Sequence, residues 1–223
     1  MGKAFTWFVK ITGYPAQFFY FHKKIYYEDK SHTNRKIKGG ALIVSNHTSI
    51  YDYPLVMFTF ISRQAHVLAA EVIYQKNPLL SAFVKWLGAV KVDRNNHDFS
   101  FMSEMTDILN KKGVGVIYPE SRLPKEEELG TLLEFKPSYI YPALESGAPI
   151  IPVYTNGTYG KLKRKRKDRT RIIIGKKIYV SDLYDKNKSE KENIEYINDY
   201  IKNKIVYLKE LLETKVHEEK QKA

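Results

Sequence analysis

Short apolar runs alternate along the chain with segments whose apolar residues recur every three or four positions. The runs at 41–45, 66–70, 89–92, 114–118, 150–154 and 171–180 predict strands. The segments between them predict helices. One spans 52–62. A second opens at Asn77-Pro78, with Asn as cap and Pro at the first position, and stops at Gly88. A third spans 97–112 and closes at Gly113. A fourth spans 138–146, interrupted early by Pro142 and closed by Gly147. The last opens on the capping box Ser189-x-x-Glu192 and carries Ile194, Ile197, Ile201, Ile205, Leu208 and Leu212 on one stripe. That stripe predicts a helix docked on the domain. The alternation predicts an α/β fold, a central mostly parallel sheet covered by helices.

The first thirty residues follow a different pattern. Phe5, Trp7, Phe8, Tyr14, Phe18, Phe19, Tyr20, Phe21, Tyr26 and Tyr27 are interleaved with His22, Lys23 and Lys24. Amphipathic rings beside basic residues suit a helix lying at a lipid headgroup layer. The same pattern also fits a helix packed on the domain's own core. A polar linker, 29–40, follows and ends in Gly39-Gly40. The expected organisation is an N-terminal interfacial helical region (1–30), an α/β domain (40–182) and a C-terminal helix packed on it (189–220).

Charge sharpens this picture. The net charge is +12, and the run 161–171, with eight basic residues and one Asp, supplies seven of it. Such a patch, with Lys163, Arg164, Lys165 and Arg166 at its centre, points to an anionic surface or to a solvated loop tip between the last two strands. Few aromatics interleave it, which argues against nucleic acid. Without cysteine there is no disulfide framework, thiol nucleophile or cysteine metal site. The six histidines are scattered with no HExxH, so no metal is expected. No stretch is apolar enough to span a bilayer, and the start lacks a signal-peptide pattern.

The candidate chemistry lies in Ser45-Asn46-His47-Thr48-Ser49-Ile50-Tyr51-Asp52, directly after the first buried run. An imidazole takes a proton near neutral pH, and a carboxylate on its second nitrogen fixes its tautomer. On a continuous helix, residues five apart lie about 140° apart and do not meet. The pair forms only if His47 sits on the turn after the strand and Asp52 in the first helical turn, with Thr48 or Ser49 as N-cap. Otherwise they are a surface His and a helix-start Asp. Three later blocks also fall at strand ends: Val90-Lys91-Val92-Asp93-Arg94, Tyr118-Pro119-Glu120-Ser121-Arg122 and the Pro-framed strand before Asn156-Gly157. Taken singly, Arg94 is a surface arginine and Glu120-Arg122 a local ion pair.

In order, the four blocks resemble those of the lysophosphatidate acyltransferase family of glycerolipid enzymes: NHxSxxD, an Arg after a hydrophobic strand, FPEGTR and VPIVPV. The likeness runs from about Leu42 to Val153. It implies direct acyl transfer with no cofactor and no covalent acyl-enzyme, from acyl-CoA or acyl carrier protein to the free hydroxyl of a lysophospholipid, 1-acylglycerol-3-phosphate, making phosphatidate. It implies His47 as general base, Asp52 as its orienting partner, and Asn46, Ser49, Arg94, Glu120, Ser121 and Arg122 as substrate-binding residues. Arg94 and Arg122 would hold the acceptor's phosphate, a task suited to the planar guanidinium fork. Membrane contacts are expected from Trp7, Phe8, Phe18, Phe19 and the basic run, at the cytoplasmic face of an anionic membrane. One departure stands out. Glu120-Ser121-Arg122 is one residue shorter than the family's Glu-Gly-Thr-Arg and lacks its Gly, which leaves the acceptor headgroup open.

Overall fold

The computed structural model describes residues 2–70, 77–92, 100–157 and 169–222. Chain order is α1 (Gly2–Phe21), β1 (Lys24–Tyr27), β2 (Ala41–Ser45), α2 (Asp52–Thr59), β3 (Ala65–Ala70), α3 (Pro78–Trp86), β4 (Val90–Val92), α4 (Ser100–Asn110), β5 (Val114–Ile117), α5 (Ile140–Ser146), β6 (Ile150–Thr155), β7 (Arg171–Ile174) and α6 (Glu190–Gln221). The strands form one seven-stranded sheet in the order β1-β7-β6-β2-β5-β3-β4. Every neighbouring pair is parallel except β6 and β7.

β2 lies near the middle and is buried along its whole length. Its residues face two layers in turn. Leu42 and Val44 join Met105 and Leu109 of α4, Ile140 and Ala143 of α5, and the α6 stripe. Ala41 and Ile43 join Leu55, Val56 and Phe60 around α2, with Phe21 at the end of α1. A strand covered on both faces reads as a continuous apolar run, which is why β2, β5 and β6 are plain in the sequence. Ile194, Ile197, Ile201, Ile205, Leu208 and Leu212 are all buried, and Ser189 and Glu192 cap each other's backbone.

Four expectations need correcting. Lys24–Tyr27 is not helical. α1 ends at Phe21, His22 turns through φ 44°, and the next residues pair with β7 as an edge strand. Ile25 and Tyr27 face one core layer and Tyr26 the other, an alternation too short to stand out among so many rings. The 171–180 strand stops at Ile174, and only Ile178 returns to bridge Ile150. The helix expected over 52–62 ends at Thr59. Pro142 does not interrupt α5; it lies in the first turn, where no intrahelical N–H donor is needed. The basic residues Lys163, Arg164, Lys165 and Arg166, and also Arg94, lie outside the described residues.

α1 docks with its polar side inward. Thr6, Lys10, Gln17 and Phe21 are buried, while Trp7, Phe8, Ile11, Tyr14, Phe18 and Phe19 are exposed, Phe8 at 62% and Phe19 at 65%. The Lys10 amine donates to the carbonyls of Phe60 (3.4 Å), Ile61 (3.0 Å) and Arg63, just past the end of α2. Phe60 is the C-cap of α2 and its carbonyl lies at the negative end of the helix dipole, so a buried cation is well placed there.

Candidate active site

The site grows from the carboxyl ends of β2, β5 and β6, where open α/β sheets place their ligands. Past Ser45, Asn46 extends the ladder with its side chain. Its Nδ2 donates to the Thr155 carbonyl (3.0 Å) and its Oδ1 accepts from the Thr155 N–H (2.9 Å). The chain then turns, and the turn is organised around Asp52. The Asp52 carboxylate is 1% exposed and accepts from Thr48 N–H (2.5 Å), Ser49 N–H (2.9 Å) and the Thr48 hydroxyl (2.9 Å). On the same Oδ2 it meets His47 Nδ1 at 2.9 Å. The carboxylate therefore folds the loop and holds the imidazole at once.

The expected N-cap works in reverse. Neither Thr48 nor Ser49 caps α2, whose N-cap position is Tyr51 with no side-chain cap bond. Thr48 and Ser49 are the donors, and the first helical residue reaches back to them. Gly157 makes room for this turn: it sits at φ 76°, and a Cβ there would come within 2.8 Å of Thr48.

The histidine is held from two more sides. Its ring stacks on Tyr118, centroids 4.5 Å apart and planes 17° apart. Its backbone N–H donates to Glu120 Oε1 (2.8 Å), and Glu120 Oε2 accepts from Leu133 N–H (3.0 Å). Glu120 thereby ties the loop after β5 to the His47 turn. Burial pushes its carboxyl up, opposed by those two N–H donors and by His47. The Tyr118 hydroxyl is buried with no hydrogen-bond partner among the described residues, and burial pushes its pKa well above the usual phenol range. The sequence marked Tyr118 only as a strand end. The signal available was that β2 and β5 are neighbours, which brings the residues after each together.

Several predicted binding residues are engaged by the protein's own groups in this structure. Asn46 and Ser49 are buried, and their side chains serve the scaffold. Asn46 is bonded to Thr155, and Ser49 Oγ accepts from Tyr51 N–H (3.2 Å). Ser121 occupies the left-handed region (φ 61°) and its hydroxyl donates to the Pro119 carbonyl (3.2 Å). This tight turn aims Arg122 not at Glu120 but at Glu128. Two parallel bonds of 2.6 Å form a fork-to-fork pair. The pair holds the Glu128 carboxyl down at about 2 and raises the guanidinium. Among the described residues, no group of three or more His, Asp or Glu side chains is placed to hold a metal ion.

Residues 24–156, more than half of the chain, match the family model described as Acyltransferase. The chain belongs to the acyltransferase family. Its relatives include the 1-acyl-sn-glycerol-3-phosphate acyltransferase of Limnanthes douglasii, 27% identical over 178 residues, 78% of this chain and 58% of that protein. The enzyme of that name from Haemophilus influenzae is 24% identical over 177 residues, 76% of this chain and 70% of its own. The chain thus spans less than two thirds of the plant relative's length. Among solved structures, the 1-acyl-sn-glycerophosphate acyltransferase PlsC of Thermotoga maritima superimposes with a TM-score of 0.67 at 20% identity, covering 92% of this chain and 79% of its own. The acyltransferase fold is therefore shared, and His47 and Asp52 lie inside the matched region.

Proposed function

We propose that this acyltransferase moves a fatty acyl group from a thioester, acyl-CoA or acyl carrier protein, to the free hydroxyl of 1-acylglycerol-3-phosphate. The observation that carries the reading is the 2.9 Å contact between His47 Nδ1 and a carboxylate already fixed by two backbone N–H groups. With Nδ1–H donated to Asp52, Nε2 is the basic nitrogen. It takes the hydroxyl proton as the oxygen attacks the thioester carbonyl. Collapse of the tetrahedral adduct breaks the C–S bond, and the imidazolium returns its proton to the leaving thiolate. Asp52 stabilises the imidazolium in between. The Tyr118 stack and the Glu120 tether keep the ring in place.

The phosphate acceptor is supported by the names of the relatives. In this reading Arg122 exchanges the Glu128 carboxylate for the acceptor's phosphate, an oxyanion of the same fork geometry, and Arg94 completes the cradle. A second acceptor class, another lysolipid or glycerol 3-phosphate, is favoured by the shortened Glu120-Ser121-Arg122 turn. The setting we propose is the cytoplasmic face of an anionic membrane. The inverted α1 supports this, since its aromatic face has no place in the domain's core; no described helix is long and apolar enough to cross a membrane.

Thiol release from acyl-CoA or acyl carrier protein, measured across a panel of lysolipids, tests both levels. The expected result is turnover with lysophosphatidate that vanishes in His47→Ala. Normal turnover by that variant overturns the assigned base, and preference for an uncharged lysolipid overturns the acceptor.

A further inference from the structure

α3 differs from every other long helix of the domain. α4 buries Phe101, Met105 and Leu109, and α6 buries its whole isoleucine–leucine stripe. α3, with the sequence PLLSAFVKW, buries no residue at all. Leu79 is 80% exposed, and Leu80, Phe83 and Trp86 are exposed beside it. It is nonetheless well formed, because Asn77 accepts from the N–H groups of Leu79 and Leu80 and Pro78 occupies the first turn. Its anchor lies just past its end, where Leu87 packs with Met57 and Phe58. The sequence therefore specifies a helix whose apolar side chains stay exposed among the described residues apart from contacts with Phe5 of α1.

The helix continues the outward face of α1. Phe5 of α1 makes edge-to-face contacts with Phe83 (5.6 Å) and Trp86 (5.2 Å). A Cβ at Gly2 would lie 3.2 Å from the Trp86 carbonyl, so the two helices touch at that corner. Neither helix holds an acidic residue, and their charged side chains are Lys3, Lys10 and Lys85. Lys10 is buried; Lys3 and Lys85 are exposed. Aromatic and aliphatic side chains rimmed by lysine, with no carboxylate to repel lipid phosphate, match the interfacial layer of an anionic bilayer.

We propose that α3 is a second membrane-docking element, seating Leu79, Leu80, Phe83 and Trp86 in the interfacial layer beside α1. The proposal extends the reading of α1 as lipid-facing. A protein held by one helix can roll about that helix's axis. A second contact from a different part of the sheet removes the roll and fixes which side of the domain faces lipid.

The chain's two tryptophans divide between the two helices, Trp7 on α1 and Trp86 on α3, so each reports separately. In full-length Trp7→Phe, Trp86 emission should shift to the blue on phosphatidylcholine–phosphatidylglycerol vesicles and be quenched by brominated acyl chains. In Trp86→Phe, Trp7 should do the same. Leu79→Glu with Leu80→Glu should weaken vesicle partitioning on the order of tenfold while leaving turnover on micellar substrate intact. Quenching of Trp7 but not Trp86 overturns the α3 proposal and leaves α1 standing. Quenching of neither overturns both. A Trp86 shift that follows protein concentration without vesicles means that a second copy covers α3, and also overturns it.

Discussion

Asp52→Asn isolates what the buried charge contributes. Three donors converge on Asp52 Oδ2, from His47, Thr48 and Ser49, while among the described residues Oδ1 accepts from the Thr48 hydroxyl. The amide oxygen of the introduced asparagine can replace Oδ2 for all three donors. Its NH2 then faces Thr48 Oγ1, which can rotate and accept. The His47 tautomer and ring position should therefore survive, and the loss is electrostatic. Charge centres about 4 Å apart at an effective dielectric near 20 interact by about 4 kcal/mol, which sets the expected fall in kcat at roughly a thousandfold. The loop should weaken as well, by about 2 kcal/mol, as charge-assisted bonds become neutral ones. Thiol release under single turnover gives the rate, and thermal unfolding gives the stability. A kcat within about threefold of wild type, in protein that folds normally, refutes the role of the carboxylate in stabilising a His47 imidazolium.

The same geometry sets three other outcomes. Glu128→Gln loosens the fork on Arg122 and should lower KM for lysophosphatidate by about two- to fivefold with kcat unchanged; a KM that rises or stays put removes Arg122 from phosphate binding. Asn46→Ala leaves the buried Thr155 N–H and carbonyl unpaired and should cost about 2–4 kcal/mol by denaturant unfolding, with KM unaffected in the folded fraction; a raised KM at unchanged stability would make Asn46 a substrate ligand after all. Lys23 has a buried amine with no hydrogen-bond partner among the described residues, and burial, aided by Arg35, lowers its pKa to about 7 from 10.5. Between those two values the unfolded chain binds the extra proton, so this residue adds stability as pH rises through that window and withdraws it as pH falls through 7. Lys23→Met should stabilise most at or below pH 7, with an advantage that shrinks toward pH 10.5; an advantage independent of pH shows that the amine does not lose its proton there.

The sheet centre was legible because β2, β5 and β6 are covered on both faces and so are apolar throughout. β1 was not, since four residues of an edge strand inside an aromatic segment carry little period. Spacing plus the strand before it made the His47–Asp52 pair possible, and the order of the four blocks, through their resemblance to a family, selected it. What the spacing could not give was the direction of the local bonds: Ser and Thr beside a helix start suggest caps, yet here a deeper carboxylate collects their N–H groups. The internal partners of Asn46 and Arg122 were hidden for a related reason. Both carry groups able to bind substrate, but Thr155 and Glu128, from distant or looped parts of the chain, engage them first. The orientation of α1 was hidden too, because nothing local says that Lys10 and Gln17 face inward.

The Lys10 clasp bears on where chemistry occurs relative to the lipid. It fixes α1 to the far end of α2, and the near end of α2 begins with Asp52. Eight helical residues separate the two, roughly 12 Å. In the proposed setting, with α1 in the interface, α2 would act as a rigid spacer between the membrane and the proposed base, and its length would set the height at which a hydroxyl is acylated. Inserting or deleting one turn of α2 would move that height by about 5 Å without altering a single residue of the site.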